Sequence, residues 1–356
     1  MPALFGCGDE YRSGDQVVSG KSLVQSRIAR VPDAEKYQGA IRLIRKKQRR
    51  GEVNETPPDN ADGPESTKQM DRSQDMSFGF HVAPTYYFNE PPTAVEPHSV
   101  VVISLGSVRA DHMAVYGGRA TTRNAFFLAE NGVTFDTAIG HIPETCPAHW
   151  TLMSGVLPEV HGNVEENGGS IYSGPTLAEI AQKKGFATAA FVGGAALSDE
   201  ACGLARGFDS YDEGVGATDK NGWSSSGAVT QRAIDWISGQ RQSFFAFIQL
   251  DDARFPYTPG SPWDKRYDPS YMGKLSGEWS SLAPVVAGRT ELNAEDMNHV
   301  TALYDGEITQ VDAALGNLLD AIPSDAVVVL TADHGESFEH GAPFQHKNLL
   351  WESVLR

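Results

Sequence analysis

The run Val327-Val328-Val329-Leu330-Thr331-Ala332 ends on Asp333-His334-Gly335-Glu336, so an apolar stretch stops abruptly at a carboxylate beside an imidazole. An apolar run without alternation is the pattern of a parallel strand covered on both faces, and such sheets bind their ligands at the carboxyl ends of the strands. Asp333 and His334 leave the strand at that end, where a bound ligand is expected. Taken alone, the pair is also explained by a helix-capping Asp333 and a surface His334.

Further segments extend the pattern. Ser99-Val100-Val101-Val102-Ile103-Ser104-Leu105 is a second run of the same type, followed by Gly106-Ser107-Val108-Arg109-Ala110-Asp111-His112. Then come Glu144-Thr145-Cys146-Pro147-Ala148-His149, Pro158-Glu159-Val160-His161-Gly162, Arg206-Gly207-Phe208-Asp209, Phe255-Pro256-Tyr257-Thr258-Pro259 and Leu303-Tyr304-Asp305-Gly306-Glu307-Ile308. In this order, with Asp333-His334-Gly335-Glu336, they resemble the sulfatase family of the alkaline phosphatase superfamily, from about Ser99 to the last residue.

The resemblance implies a hydrolase of sulfate or phosphate esters that works by nucleophilic displacement assisted by a divalent cation, calcium by family pattern. It makes Asp333 and His334 metal ligands, and it places Gly106 where the family has a first-strand aspartate. Alignment on Pro147 puts Thr145 at the nucleophile's position and His149 at that of the family's arginine. Cys146 then fails the maturation pattern, so no formylglycine is expected, and a threonine nucleophile shifts the chemistry toward phosphate or phosphonate esters. His149 and His161 match the anion-site region as candidate acids or anion binders, Arg254 could clamp an anion, and His346 follows the metal pair as a substrate-binding candidate. The segment Gln249-Leu250-Asp251-Asp252-Ala253-Arg254 departs from the family at both of its histidine positions, leaving Asp252. The loss at Gly106 supports an alternative: a degenerate member that keeps an anion-binding pocket without turnover.

These residues need a scaffold. Apolar runs at Ala187 to Val192, Phe244 to Leu250 and Ala326 to Leu330 predict strands, and Thr176 to Lys184 and Ala228 to Ser238 predict helices. The alternation argues for an α/β fold, a mainly parallel sheet with helices on both faces. From Ala294 to Ile322, Met297, Val300, Leu303, Val311, Leu315, Leu318 and Ile322 recur at helical spacing and predict one long amphipathic helix, with Asp305, Glu307 and Asp312 mostly off its buried stripe, explained by solvated positions or by local hydrogen bonds. A helix from Pro147 to Ser154 would aim its N-terminal N–H groups at a bound anion, with Thr145 as nucleophile, as helix cap, or as both.

Residues 1–97 differ in kind and are expected to form a largely disordered tether, with a polar tract from Gly51 to Met76 and a short helix from Asp33 to the basic end Lys46-Lys47-Gln48-Arg49-Arg50. Residues 98–356 would be the catalytic domain. The formal charge of −17 disfavours nucleic acid as a partner and does not forbid the small anionic ester that the resemblance implies as substrate. Three cysteines, Cys7, Cys146 and Cys202, are too few and too scattered to predict a disulfide framework or a zinc cluster, and Cys146 is expected to be a small packed residue. Leu4-Phe5-Gly6-Cys7 resembles the end of a lipoprotein signal, which points to a membrane tether through Cys7 and a bacterial envelope location; the six residues before Cys7 as they stand would leave the chain cytoplasmic. The end after Leu350-Trp351 is expected to lack a further strand and a C-terminal subdomain.

Overall fold

The computed structural model describes residues 98–356 except 166–169, 215–223, 339–343, 345 and 347–348, together with the backbone of 11–13, 16–18 and 27–28. Strands β1 (Tyr11–Ser13) and β2 (Gln16–Val18) pair with each other, and β3 (Arg27–Ile28) pairs with β5 (Phe135–Thr137), both antiparallel. A small part of the segment expected to be a tether is therefore a strand laid on the domain. Cys7, the polar tract from Gly51 and the basic helix lie outside the described residues.

Five strands form the main sheet: β4 (Val100–Leu105), β6 (Ala187–Phe191), β7 (Ser210–Asp212), β8 (Phe244–Leu250) and β9 (Val327–Ala332). Their order is β7-β6-β8-β4-β9, and every pair is parallel. The strands expected from apolar runs are all present, and β8 is buried along its whole length. Strand β9 lies at one edge, with Val327, Val329 and Leu330 only partly buried.

Helices cover both faces, because alternate strand residues are apolar in both directions. On one face, Val101, Ile103 and Leu105 of β4 and Ala246, Ile248 and Leu250 of β8 pack against α6 (Ser226–Gly239) and α8 (Ala294–Ala321). On the other, Val102, Phe245 and Phe247 meet Trp150 and Met153 of α2 (Thr145–Ser154) and Ala178 of α4 (Leu177–Lys183). Each large side chain fully buried in these layers contributes roughly 1.5–3 kcal/mol against exposure. The helix starts are written locally: Thr176 and Glu179 form a reciprocal capping box on α4, Ser225 caps α6 and Asn293 caps α8.

Two expectations need correction. The acids of α8 lie off its apolar stripe yet are not solvated: Asp305, Glu307 and Asp312 are all buried, because the segment before α1 (Arg123–Glu130), α1 itself and the chain around residues 255–265 close over the helix's second face, and local hydrogen bonds account for them. Asp305 accepts from His112 Nδ1 and Arg119 Nε, each at 2.6 Å, and Asp312 accepts from the N–H groups of Asn124 and Ala125, each at 2.9 Å, capping α1 from outside. Glu307 Oε1 accepts from Thr258 N–H at 2.6 Å, while burial pushes its carboxyl well above the usual range. The second correction is a disulfide between Cys146 on α2 and Cys202 at the end of α5 (Asp199–Cys202). Sequence separation of 56 hid this pair, which only the packing of α2 and α5 over the sheet brings together.

Candidate active site

Parallel register decides what stands at the sheet's carboxyl edge. Leu105 pairs with Leu250 of β8 and with Ala332 of β9, so the next residues on the three strands, Asp251, Gly106 and Asp333, form a row with the glycine in the middle. Neighbouring strands lie about 4.8 Å apart. Two carboxylates therefore flank a position that has no side chain of its own.

Asp333 is fixed from two sides. Its Oδ1 accepts from the N–H of Ser107 at 2.9 Å and of His334 at 2.8 Å. Ser107 reaches it in the left-handed region, φ 57°, a conformation that costs a non-glycine residue on the order of 1 kcal/mol. Tyr304 of α8 holds that turn, donating to Ser107 O at 2.7 Å and accepting from Arg109 N–H at 2.9 Å. Oδ2 of Asp333, also buried, has no hydrogen-bond partner. Burial pushes this carboxyl up, but the His334 and His149 rings and the two N–H bonds outweigh it and hold it below the usual carboxylate range. An ionised, buried oxygen without a donor is costly unless a cation meets it.

The other predicted residues gather here to different degrees. His334 Nδ1 lies 2.8 Å from Gly335 O and must donate to it, so in the neutral ring Nε2 is a lone pair; it stands 3.4 Å from Thr145 Oγ1 and 3.6 Å from Asp333 Oδ2. Thr145 is the first residue of α2, which begins two residues earlier than expected, so it is not the cap. The cap position belongs to Glu144, whose side chain takes up none of the helix N–H groups, leaving the positive end of the helix beside the Thr145 hydroxyl. His149 is fully buried, with Nδ1 donating to Thr145 O at 2.6 Å and Nε2 within 2.9 Å of Ser104 Oγ; burial lowers its pKa against the pull of Asp333 and of the Thr145 carbonyl. It anchors the backbone of Thr145 rather than lining an open pocket.

His346 lies tilted against His334 with ring centroids 4.3 Å apart and places Nδ1 3.5 Å from Glu336 Oε1. Burial opposes its charge, yet Glu336 and Asp333 raise its pKa overall. Arg254 Nε lies 3.3 Å from Asp251 Oδ2. His161 is not brought to this group: the N–H of Asn163 donates to its Nδ1 at 3.1 Å, so its Nε2–H serves Thr151 Oγ1 at 3.0 Å, six residues or about 9 Å along α2 from Thr145. Gln249 faces the interior, accepting from Gly193 N–H at 3.1 Å, and Asp252 accepts from Ser226 N–H at the start of α6.

Sequence reasoning missed Asp251. It is buried, and burial first, then nearby Asp333 and Asp252, push its carboxyl up to about 7 against the pull of Arg254. A signal existed: an aspartate directly follows the apolar run of β8, as Asp333 follows that of β9. Glu336, fully buried with one oxygen unpartnered, was likewise not singled out.

Asp333, His334 and the Thr145 hydroxyl offer a carboxylate, an imidazole nitrogen and an alcohol oxygen to one point, a donor set that suits a divalent cation. Among the described residues, no cluster of three or more His, Cys, Asp or Glu side chains is drawn close enough to enclose a metal ion. The donor chemistry fits, with one carboxylate short.

The fold is shared with known proteins. A phosphonate monoester hydrolase of Agrobacterium radiobacter has the same fold, with TM-score 0.58 and 19% identity over 73% of this chain and 66% of that one. A 2-O GAG sulfatase gives TM-score 0.54 and 15% identity over 73% of this chain and 63% of its own. An uncharacterized pyrophosphatase/phosphodiesterase of Schizosaccharomyces pombe is 40% identical over 76 residues, 21% of this chain and 15% of that protein. The chain thus spans less than two thirds of each. The sulfatase family model matches residues 98–353, the stretch that carries the sheet, the Thr145 helix and the Asp333–His334 edge, and the chain belongs to the sulfatase family.

Proposed function

We propose that the protein hydrolyses phosphate or phosphonate esters by attack of Thr145 Oγ1 on phosphorus, with a divalent cation held by Asp333 and His334. The observation that carries this reading is the Thr145 hydroxyl 3.4 Å from the His334 Nε2 lone pair, beside the buried, partnerless Asp333 Oδ2. A cation bound there would polarise the ester oxygens and favour the alkoxide of Thr145. The chain's own groups do the rest. His149 holds the backbone of Thr145, the N-terminal end of α2 stabilises the anion, and Arg254 and His346 add positive charge for the phosphoryl oxygens. An alcohol nucleophile suits phosphorus better than sulfur, because a phosphothreonine can be released by water attacking phosphorus. The imidazole in the donor set matches zinc better than the calcium the family pattern suggests.

The disulfide between Cys146 and Cys202 supports a location outside the reducing cytoplasm, in keeping with an envelope protein tethered through Cys7. Among the described residues no helix is long and apolar enough to cross a membrane. The competing reading, an anion-binding protein without turnover, rests on Gly106. Thr145→Ala decides between them. Release of nitrophenol from aryl phosphate esters should fall by about 10³-fold with the fold intact, and acid quenching of the native enzyme should trap phosphate on Thr145. Turnover within tenfold of native after this change would remove the covalent mechanism; no turnover by the native protein on any such ester would favour the binding role.

A further inference from the structure

Gly106 looks like a lost ligand only while β4 is considered by itself. Its backbone does not require glycine, because its φ lies outside the left-handed region, whereas Ser107 beside it occupies that region. Space explains it instead. A Cβ at position 106 would overlap Asp251 Oδ1 and lie 3.1 Å from Asp251 Cγ. The Asp251 carboxylate, from the neighbouring strand, therefore fills the volume in which a side chain at 106 would begin, and its observed pose requires the glycine.

The row Asp251, Gly106, Asp333 gives this a direction. Asp251 leans across the middle position toward the strand beyond which Asp333 presents its partnerless oxygen. Its other oxygen, Oδ2, is held 3.3 Å from Arg254 Nε, which fixes the carboxylate's orientation and leaves Oδ1 over Gly106. An ordinary surface ion pair between residues three apart would need neither the burial of Asp251 nor a glycine on another strand.

We propose that Asp251 has taken over the ligand position of β4: a cation would draw the carboxylate of β8 onto Asp333, His334 and Thr145, which the structure does not yet gather around one point with it, and Gly106 is the vacancy that admits it. This rests on the metal-assisted reading above and goes beyond it, because it assigns the missing ligand to a residue that the order of motifs passes over. It also changes what restoring an aspartate at 106 would do. Gly106→Asp alone would crowd two carboxylates into one volume and should not tighten binding.

The test is metal affinity of the full chain, stripped of metal and titrated calorimetrically with zinc, manganese and calcium in turn, with thermal melting of each metal-free variant as the check on folding. Asp333→Asn reports on the site as such. Asp251→Asn should weaken binding by about 10- to 100-fold, and Gly106→Ala, which removes no ligand but displaces the Asp251 carboxylate, should weaken it comparably. The double variant Gly106→Asp with Asp251→Ala, which returns the carboxylate to β4, should recover most of the native affinity. Native-like affinity in Asp251→Asn, with binding lost in Asp333→Asn, would overturn the assignment of Asp251 while leaving the metal reading intact. A native protein that binds none of the three ions would overturn both. If Asp251→Asn fails to fold, Gly106→Ala decides: native affinity in that variant refutes the assignment.

Discussion

Two regions of this molecule bury carboxylates, and they treat them in opposite ways. On α8, Asp305 is saturated by His112 and Arg119, and Asp312 by the N–H groups at the start of α1; each acid is a strut between elements. Glu307, with one oxygen unpartnered, is driven well above the carboxylate range by burial and is relieved by a proton. At the sheet edge, Asp333 is held below the usual carboxylate range by its neighbours while Oδ2 accepts no hydrogen bond, and Asp251 leans into the gap left by Gly106. A buried acid whose bonds are complete stabilises the fold; one kept charged and incomplete is built for something that binds.

The contrast breaks most visibly at Asp305. Asp305→Ala strands the His112 and Arg119 groups and should cost about 3–5 kcal/mol in urea unfolding, with metal affinity per folded molecule unchanged. A loss of metal binding without loss of stability would erase the distinction drawn here. Next in size is the disulfide, which pins the Thr145 helix. Replacing Cys146 and Cys202 by serine opens a loop with sequence separation 56 and should cost roughly 2–4 kcal/mol, read as a lower midpoint in denaturant, and reduction of the native protein should reproduce it.

Asp333→Asn should behave in reverse to Asp305→Ala. Divalent-metal affinity should drop on the order of 100-fold, while the metal-free protein loses far less stability than Asp305→Ala does, because an amide keeps the Oδ1 bonds and only the attraction of the charge to its neighbours is given up. A large stability loss would place Asp333 with the struts.

The smallest effect concerns His161, neutral beneath α2, with a pKa lowered by burial. A histidine depressed in the folded state binds fewer protons there than in the unfolded chain. Its contribution is therefore present above the ordinary histidine value of about 6.5 and is lost as pH falls from there through the folded value. His161→Gln should flatten the fall of melting temperature below about pH 6.5 without shifting the metal affinity. An unchanged slope would mean that His161 does not titrate as its surroundings dictate.

Much of this was readable along the chain, and the limits are physical. Apolar runs gave β4, β6, β8 and β9, helical periodicity gave α8, and strand-end chemistry gave Asp333 and His334. The α8 acids stayed open between solvation and local hydrogen bonds because a helix's periodicity reports the face it turns to the sheet and is silent about the segments that later cover the other face. The disulfide and Asp251 were missed for a related reason: both are contacts between elements distant in sequence, Cys146 with Cys202 and Asp251 with Gly106.

What the sequence by itself determined is the set of elements and the chemistry at their ends, since hydrophobic period, caps and strand-terminal residues act over a few positions of chain. Only the tertiary structure decided which ends meet. Parallel pairing of β4 with β8 and β9 sets Asp251, Gly106 and Asp333 in one row, and exclusion of volume between side chains on neighbouring strands turns an apparent loss at Gly106 into room for Asp251.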